Sequence, residues 1–440
     1  IHGTFYRMQC DFDYRPPQNE WMTGFNGDGH ISRFRFANGS VDYKGRYVRT
    51  ARLMAERKAR RRLFGVYRNP FTDDPSVAHI NRSAANTHVY WHGGKMFVLK
   101  EDSLPYTVDP HTLATLGDWN FHGKYTAQTM SAHPKIDPVT GEMIAYGYEA
   151  KGILTKDIAV YTISPKGHVT REVWLTSPYL GIIHDIAITQ KYVIIPVIAR
   201  TTSLARLKAG LPMWEWDGSL PTMVGILPRD GEAKDVRWFK GPSRNTLHFL
   251  NATDRGNIVT MELPTSSGER DPSQIRRWTF DLGSASEGFK EEVVSTTPGF
   301  LPRMDDRYLS LDYRYGFISS RDLTGVKPDP HAGPMGGGKQ VVQRLDVRTG
   351  KIDQCPVEGK IALQESCFVP RPGSTQEGDG YIMTVASNYE SMSSDLIITD
   401  AQHLADGIIA TVKLPFRLRS GTHTNWYPQS VLPPIRDELS

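Results

Sequence analysis

At 440 residues, with 39% hydrophobic and 10% aromatic content, the chain can fill one large core as well as several small ones. A formal net charge of +4 gives little reason to expect nucleic acid as a partner. The three cysteines, Cys10, Cys355 and Cys367, are too few and scattered for a disulfide framework or a thiolate metal site, and they suit a reducing, cytoplasmic setting. No apolar run reaches the ~18 residues of a membrane span, and no signal peptide is visible. The chain opens at Ile1 in mid-pattern, as a chain missing an N-terminal piece would.

Helical signal is weak and early. Thr50–Leu63 (TARLMAERKARRRL) has apolar residues spaced near three and four apart and is the best helix candidate. Its arginine cluster reads first as a solvated helix face and only second as a site for an anionic partner. Short apolar or alternating runs then recur: His88–Leu99, Met143–Glu149, Ile158–Ile163, Ile182–Ile188, Tyr192–Ile198 and Ile382–Ala386. Three segments repeat a strand, a turn of the Asp-Pro-x-Thr-Gly or Arg-Thr-Gly kind and a second strand, around Asp109–Leu116, Asp137–Met143 and Asp346–Ile352. This repeated hairpin favours a radial β architecture over a sandwich. Gly325–Gly338 reads as a surface loop, and no domain boundary stands out, so residues 1–440 are expected to form a single all-β domain.

Four histidines, His133, His184, His248 and His423, each stand in or beside a β-type run, at separations of 51, 64 and 175 residues. No local metal motif joins them. The first two gaps are about one propeller blade long, since four strands and their turns need ~40–60 residues. Delivered one per blade, these histidines would converge on a central axis, where imidazoles suit iron, copper, zinc or nickel. Taken singly, each is more often a satisfied structural residue. Ligand histidines usually give their other ring nitrogen to a carboxylate or carbonyl. Glu101, ending the run Met96–Lys100, and Glu365, before SCFV, are carboxylates flanked by apolar sequence, though strand-end surface charges read the same way.

The chain resembles the carotenoid cleavage oxygenase family along nearly its whole length. The resemblance is carried by GTFYRM (Gly3–Met8), FNGDGHISRFRF (Phe25–Phe36), the run Ala85–Gly117, SAHPKIDPVTGEM (Ser131–Met143), HDIAITQKYVIIP (His184–Pro196), FVPRPG (Phe368–Gly373) and GTHTNWYP (Gly421–Pro428). It implies a seven-bladed β-propeller with a loop and helix cap over an axial metal site. It also implies one non-haem Fe(II) per chain on His133, His184, His248 and His423, with Glu101 and Glu365 behind the ligands, O₂ as co-substrate, no organic cofactor, and a homodimer. One departure stands out. Where the family usually has a third glutamate, in Glu-Phe/Leu-Pro-Arg, this chain has Phe300 in GFLPR (Gly299–Arg303). The ligand left over would then be oriented by a backbone carbonyl, a water or another carboxylate, or Phe300 lines the substrate cavity.

A second feature selects a branch. Carotenoid-cleaving members usually carry an apolar or aromatic residue before the glutamate matching Glu101, whereas this chain has Lys100. In this it is similar to the lignostilbene and resveratrol cleaving branch, as it is at Tyr67 (GVYRNP) and Phe25 (GFNG). The resemblance implies a 4-hydroxystilbene held by Lys100 and Tyr67, the Tyr67 hydroxyl donating a second hydrogen bond to the 4′-oxygen, and stacked on Phe25, its central C=C split by O₂ into two aromatic aldehydes. An ammonium beside the 4′-oxygen favours the phenolate, each pKa unit being worth ~1.4 kcal/mol, and so enriches the alkene. Against this stands Lys100 as a snorkelling surface residue. The alternative on the same scaffold is cleavage of apocarotenoids. A rival from another class is a non-enzymatic propeller with structural histidines.

Overall fold

The computed structural model describes residues 1–15, 23–269, 271–322 and 339–435; the stretch 325–338, expected as a surface loop, lies outside them. Among the described residues, seven antiparallel sheets follow one another along the chain and form a seven-bladed β-propeller, with only two α-helices. The second sheet, for example, orders His88–His92, Lys95–Leu99, Tyr106–Val108 and Thr115–Asp118, and the third runs from Lys135–Ile136 to Val169–Thr176. The first is made differently. It joins Ser40–Tyr47, Asp28–Ala37 and Gly3–Asp11 to the late strand Gly421–Pro428, so the two ends of the chain share a sheet.

Contacts group the chain into two compact units. In the first, Ile1–His184 with Ala199–Asp217 and Thr422–Ser440, one core packs Tyr6, Met8 and Ile31 of the first sheet against Val89, Met96 and Val98 of the second. Another packs Phe97 and Leu99 against Met143, Ala145 and Tyr161 of the third. In the second unit, Asp185–Ile198 with Gly218–Gly421, Ile194, Val224 and Phe239 meet Met261, Trp278 and Phe280 in the same manner. A blade buried on both faces needs central strands apolar throughout. Met143–Tyr148 is accordingly buried at every position, while the outer strand Val169–Thr176 alternates.

The repeated turn is one structure used three times. Asp109, Asp137 and Asp346 each accept backbone N–H bonds on their carboxylates from the following residues. Each main-chain carbonyl then takes the N–H of the fifth residue, Leu113, Gly141 or Gly350, at 2.8–2.9 Å. All three fifth residues are left-handed, with φ of 60°, 70° and 74°.

The early helix spans Ala51–Ala59, with the Thr50 hydroxyl accepting from Leu53 N–H at 3.1 Å. It stops short of the expected Leu63. Arg60 turns left-handed at φ 53°, and the buried Glu56 carboxylate takes the N–H groups of Leu63 and Phe64 at 2.9 and 3.0 Å. The chain is thereby pulled back toward the helix, and the loop that follows carries Tyr67 to Glu101.

Candidate metal centre

The four histidines come from four different sheets, each from a first or edge strand or the irregular residues beside it. His133 stands two residues before Lys135–Ile136, and His184 lies between Gly181–Ile182 and Ala187–Ile188. His248 precedes Asn251–Arg255, and His423 is inside Gly421–Pro428. The structure brings all four together. They are buried, and one ring nitrogen of each lies within 4.8 Å of every other. His133 Nε2 and His184 Nε2 are 3.2 Å apart. Two imidazoles bound at right angles, with metal–nitrogen bonds of about 2.1 Å, would place their nitrogens about 3 Å apart. The donor set therefore fits a metal, and neutral imidazoles suit iron, copper, zinc or nickel.

Two of these rings have their orientation fixed from behind. His184 Nδ1 donates to Glu101 Oε2 at 2.8 Å, and His248 Nδ1 donates to the Phe300 carbonyl at 3.2 Å. Neither acceptor can donate in return, so each ring keeps its proton on Nδ1 and its Nε2 lone pair free for coordination. The backbone carbonyl thus holds the place where the family usually has a third glutamate. The Phe300 ring stands edge-on to His248, with centroids 5.1 Å apart, and is 57% exposed. Glu365 is buried and paired at 3.1 Å with Arg303, the arginine of the same GFLPR segment.

Burial disfavours the Glu101 charge, but His184, Arg68 and the Tyr67 hydroxyl outweigh it and hold the carboxyl down to about 2. Tyr67 donates its hydroxyl proton to Glu101 Oε1. That proton was expected to reach a substrate oxygen; here it is engaged with the carboxylate. Burial, followed by the Glu101 charge, raises the Tyr67 phenol well above its usual range.

Lys100 is 3% exposed, so it does not snorkel. Its Nζ donates to the Phe25 carbonyl at 3.0 Å and to Asn86 Oδ1 at 2.9 Å. The ammonium also lies 4.4 Å from the Tyr67 ring centre and 5.6 Å from that of Phe25. Burial lowers the Lys100 pKa. Phe25 is 39% exposed, its ring centre 6.4 Å from that of Tyr67.

Several contributors carry no signal that sequence reading would have ranked. His88 packs against His423 with centroids 4.6 Å apart, its Nδ1 donating to the Ala132 carbonyl at 3.0 Å. The Ser131 and Tyr146 hydroxyls both donate to the His184 carbonyl, at 3.1 and 2.6 Å. Asp185, next to one histidine, accepts the N–H of Phe249, next to another, at 3.1 Å. Arg68 pairs with the buried Glu149 and donates to the Glu101 carbonyl at 3.2 Å. His88 and Asn86 fall within the motif run Ala85–Gly117, Ser131 within Ser131–Met143, Asp185 within His184–Pro196 and Arg68 within GVYRNP, whereas Tyr146 and Glu149 lie outside every motif of the resemblance.

Fold and site together define a β-propeller with a buried four-histidine centre that could hold a metal. The family described as retinal pigment epithelial membrane protein matches residues 1–428, and the chain belongs to this family, the carotenoid oxygenases of the sequence motifs. Lignostilbene-alpha,beta-dioxygenase isozyme III of Sphingomonas paucimobilis is 40% identical, over 98% of this chain and 92% of the relative. Isoeugenol monooxygenase of Pseudomonas putida is also 40% identical, over 97% and 92%. The crystal structure of Pseudomonas brassicacearum lignostilbene dioxygenase superposes with a TM-score of 0.92 at 38% identity, covering 97% of this chain and 92% of that one.

Proposed function

We propose that this protein is a non-haem Fe(II) dioxygenase that splits the central C=C of 4-hydroxystilbenes with O₂. The balance is one alkene and one O₂ to two aromatic aldehydes. The observation that carries the reading is the buried Lys100 ammonium between two aromatic rings, hydrogen-bonded to neutral oxygens. Two of its three N–H groups are used by Phe25 O and Asn86 Oδ1; the third is suited to an anionic oxygen. A buried cation whose hydrogen-bond partners are both neutral, with the Asp102 and Glu101 carboxylates attracting it only from beyond hydrogen-bond reach, favours an added anion, and a phenolate is such an anion.

Bound at His133, His184, His248 and His423, iron would supply the redox chemistry with dioxygen, keeping its full charge among neutral imidazoles. The remaining roles belong to the chain. Lys100 stabilises negative charge at the substrate 4-oxygen, which pushes electron density through the ring into the alkene. Tyr67, its proton committed to Glu101, gives the 4-oxygen no hydrogen bond and contributes its ring, which lies against the Lys100 ammonium at the aromatic end of the site. Phe25 offers its ring face to the aromatic substrate. Phe300, partly exposed and against His248, is assigned to the far end of the cavity.

The isoeugenol-acting relatives favour a second substrate of the same design, a 4-hydroxyphenyl ring conjugated to a propenyl alkene. The apocarotenoid alternative has weaker support: the apocarotenoid-15,15'-oxygenase of Synechocystis is 26% identical. Iron-loaded protein should cleave resveratrol, with isoeugenol as the next best test compound, and Lys100→Met should abolish turnover while leaving iron bound. Wild-type kcat/KM in that variant, or cleavage of β-apocarotenals without turnover of either phenol, would overturn the reading. We also infer a single propeller domain, a homodimer from the family resemblance, and a cytoplasmic setting from the three free cysteines. Among the described residues, no helix is long and apolar enough to cross a membrane.

A further inference from the structure

Asn86 is fully buried, and its side-chain amide has no hydrogen-bonding capacity left over. Its Nδ2 donates to the carbonyls of Phe25 and Gly27, at 3.0 and 2.7 Å. Its Oδ1 accepts from Lys100 Nζ at 2.9 Å and from the Thr87 hydroxyl at 3.0 Å. The main chain of the same residue faces another way, its carbonyl accepting the Thr422 hydroxyl at 2.9 Å. Thr422 immediately precedes His423, one of the four clustered histidines.

One residue therefore holds the ammonium and the Phe25 backbone with its side chain, and the His423 strand with its carbonyl. We infer that Asn86 is the positioning residue that sets the span between the phenol-binding end of the site and the metal end, and so decides which hydroxyaryl alkenes are accepted. This rests on the reading of Lys100 as the phenol anchor given above.

The residue type follows from the chemistry. Aspartate would lose both donors, set a carboxylate against the Phe25 and Gly27 carbonyls, and pair with Lys100, consuming the charge meant for the ligand. Glutamine is one methylene longer than the side chain this fully buried position holds. Leucine would take one of two partners from the ammonium and remove the amide donor that meets the Gly27 carbonyl. Only a short neutral amide can fix the ammonium without neutralising it.

The test uses two ligands that differ only by methylation of the phenol oxygen, 4-ethylphenol and 4-ethylanisole, titrated calorimetrically into iron-loaded protein. In Asn86→Ala the Kd for 4-ethylphenol should rise roughly tenfold or more, the loss of a hydrogen bond to a charged group. The Kd for 4-ethylanisole should stay within about twofold, with bound iron unchanged. If both affinities fall together, Asn86 is merely structural; if neither changes, it does not position the anchor. Either result overturns the inference. Should Asn86→Ala fail to fold, isosteric Asn86→Asp must show the same loss of preference for the phenol, and a retained preference overturns the proposal equally. Lys100→Met is titrated in parallel. If it leaves 4-ethylphenol binding intact, the phenol-anchor reading itself fails. If it abolishes binding while the Asn86 variants do not, only the role of Asn86 is lost.

Discussion

Glu101 accepts from two donors at once, the His184 ring and the Tyr67 hydroxyl, and so connects the metal end of the site to the aromatic end. Replacing it by glutamine keeps the shape but leaves one acceptor oxygen for two donors. His184 Nδ1–H cannot become an acceptor without shifting its tautomer, so the amide oxygen stays with His184 and Tyr67 must turn. The amide is also a weaker acceptor than a carboxylate. Glu101→Gln should therefore bind Fe(II) about 10–100-fold more weakly, as loss of such partners usually does. Titration of the metal-free variant against wild type measures this, and equal affinities would show that the carboxylate does not tune the ligand. At this scale the four histidines were legible because their neighbouring motifs are distinctive. The partner of His248 was legible only as one of several alternatives, because a main-chain carbonyl at Phe300 leaves no mark in the residue type. Arg68 and Glu149 were not singled out, and nothing in either residue type announces the buried pair they form. Both stand in left-handed backbone, φ 55° and 49°, which residue identity does not disclose.

Among the elements, the repeated hairpin was read correctly from sequence, because its aspartate and left-handed fifth residue are local chemistry. The first copy has a leucine where the others have glycine, and two effects then compete. Leu113 carries a strained φ of 60°, a cost of about 1 kcal/mol, yet it is fully buried in the core between the first two sheets. Removing such a side chain costs about 2–5 kcal/mol. Burial wins, so Leu113→Gly should lower stability by roughly 1–4 kcal/mol, measured by denaturant unfolding. A more stable variant would mean that the strain had been underestimated. Other element boundaries were less legible. His88–Leu99 looked like one run, but Gly93 and Gly94, both at positive φ, fold it into a hairpin. Ile182–Ile188 is interrupted at His184, where the chain leaves the ladder to present the ring. Apolar composition alone does not show where a strand pauses.

For the whole molecule, the hairpin repeats pointed to a radial β architecture and the family resemblance implied seven blades, and the seven sheets among the described residues agree. The four clustered histidines come from residues 133 to 423, so a metal held there would tie together segments far apart in sequence. A metal held only by the folded chain adds RT ln(1 + [L]/Kd), about 4 kcal/mol at a thousandfold excess over Kd. Chelation should lower Tm and added Fe(II) should restore it; a Tm insensitive to metal in protein shown to bind it would place the histidines outside the folding equilibrium.

The sheet shared by Gly3–Asp11 and Gly421–Pro428 also sets an order of events during synthesis. His423 lies on the last of these strands, and that strand docks beside one of the first to be made. A nascent chain can complete six blades and still lack its fourth imidazole. Full metal capture must wait until residue 423 has left the ribosome and its strand has closed the ring. A ribosome-stalled chain ending before that strand would be the natural place to look for a propeller that folds but holds its metal poorly.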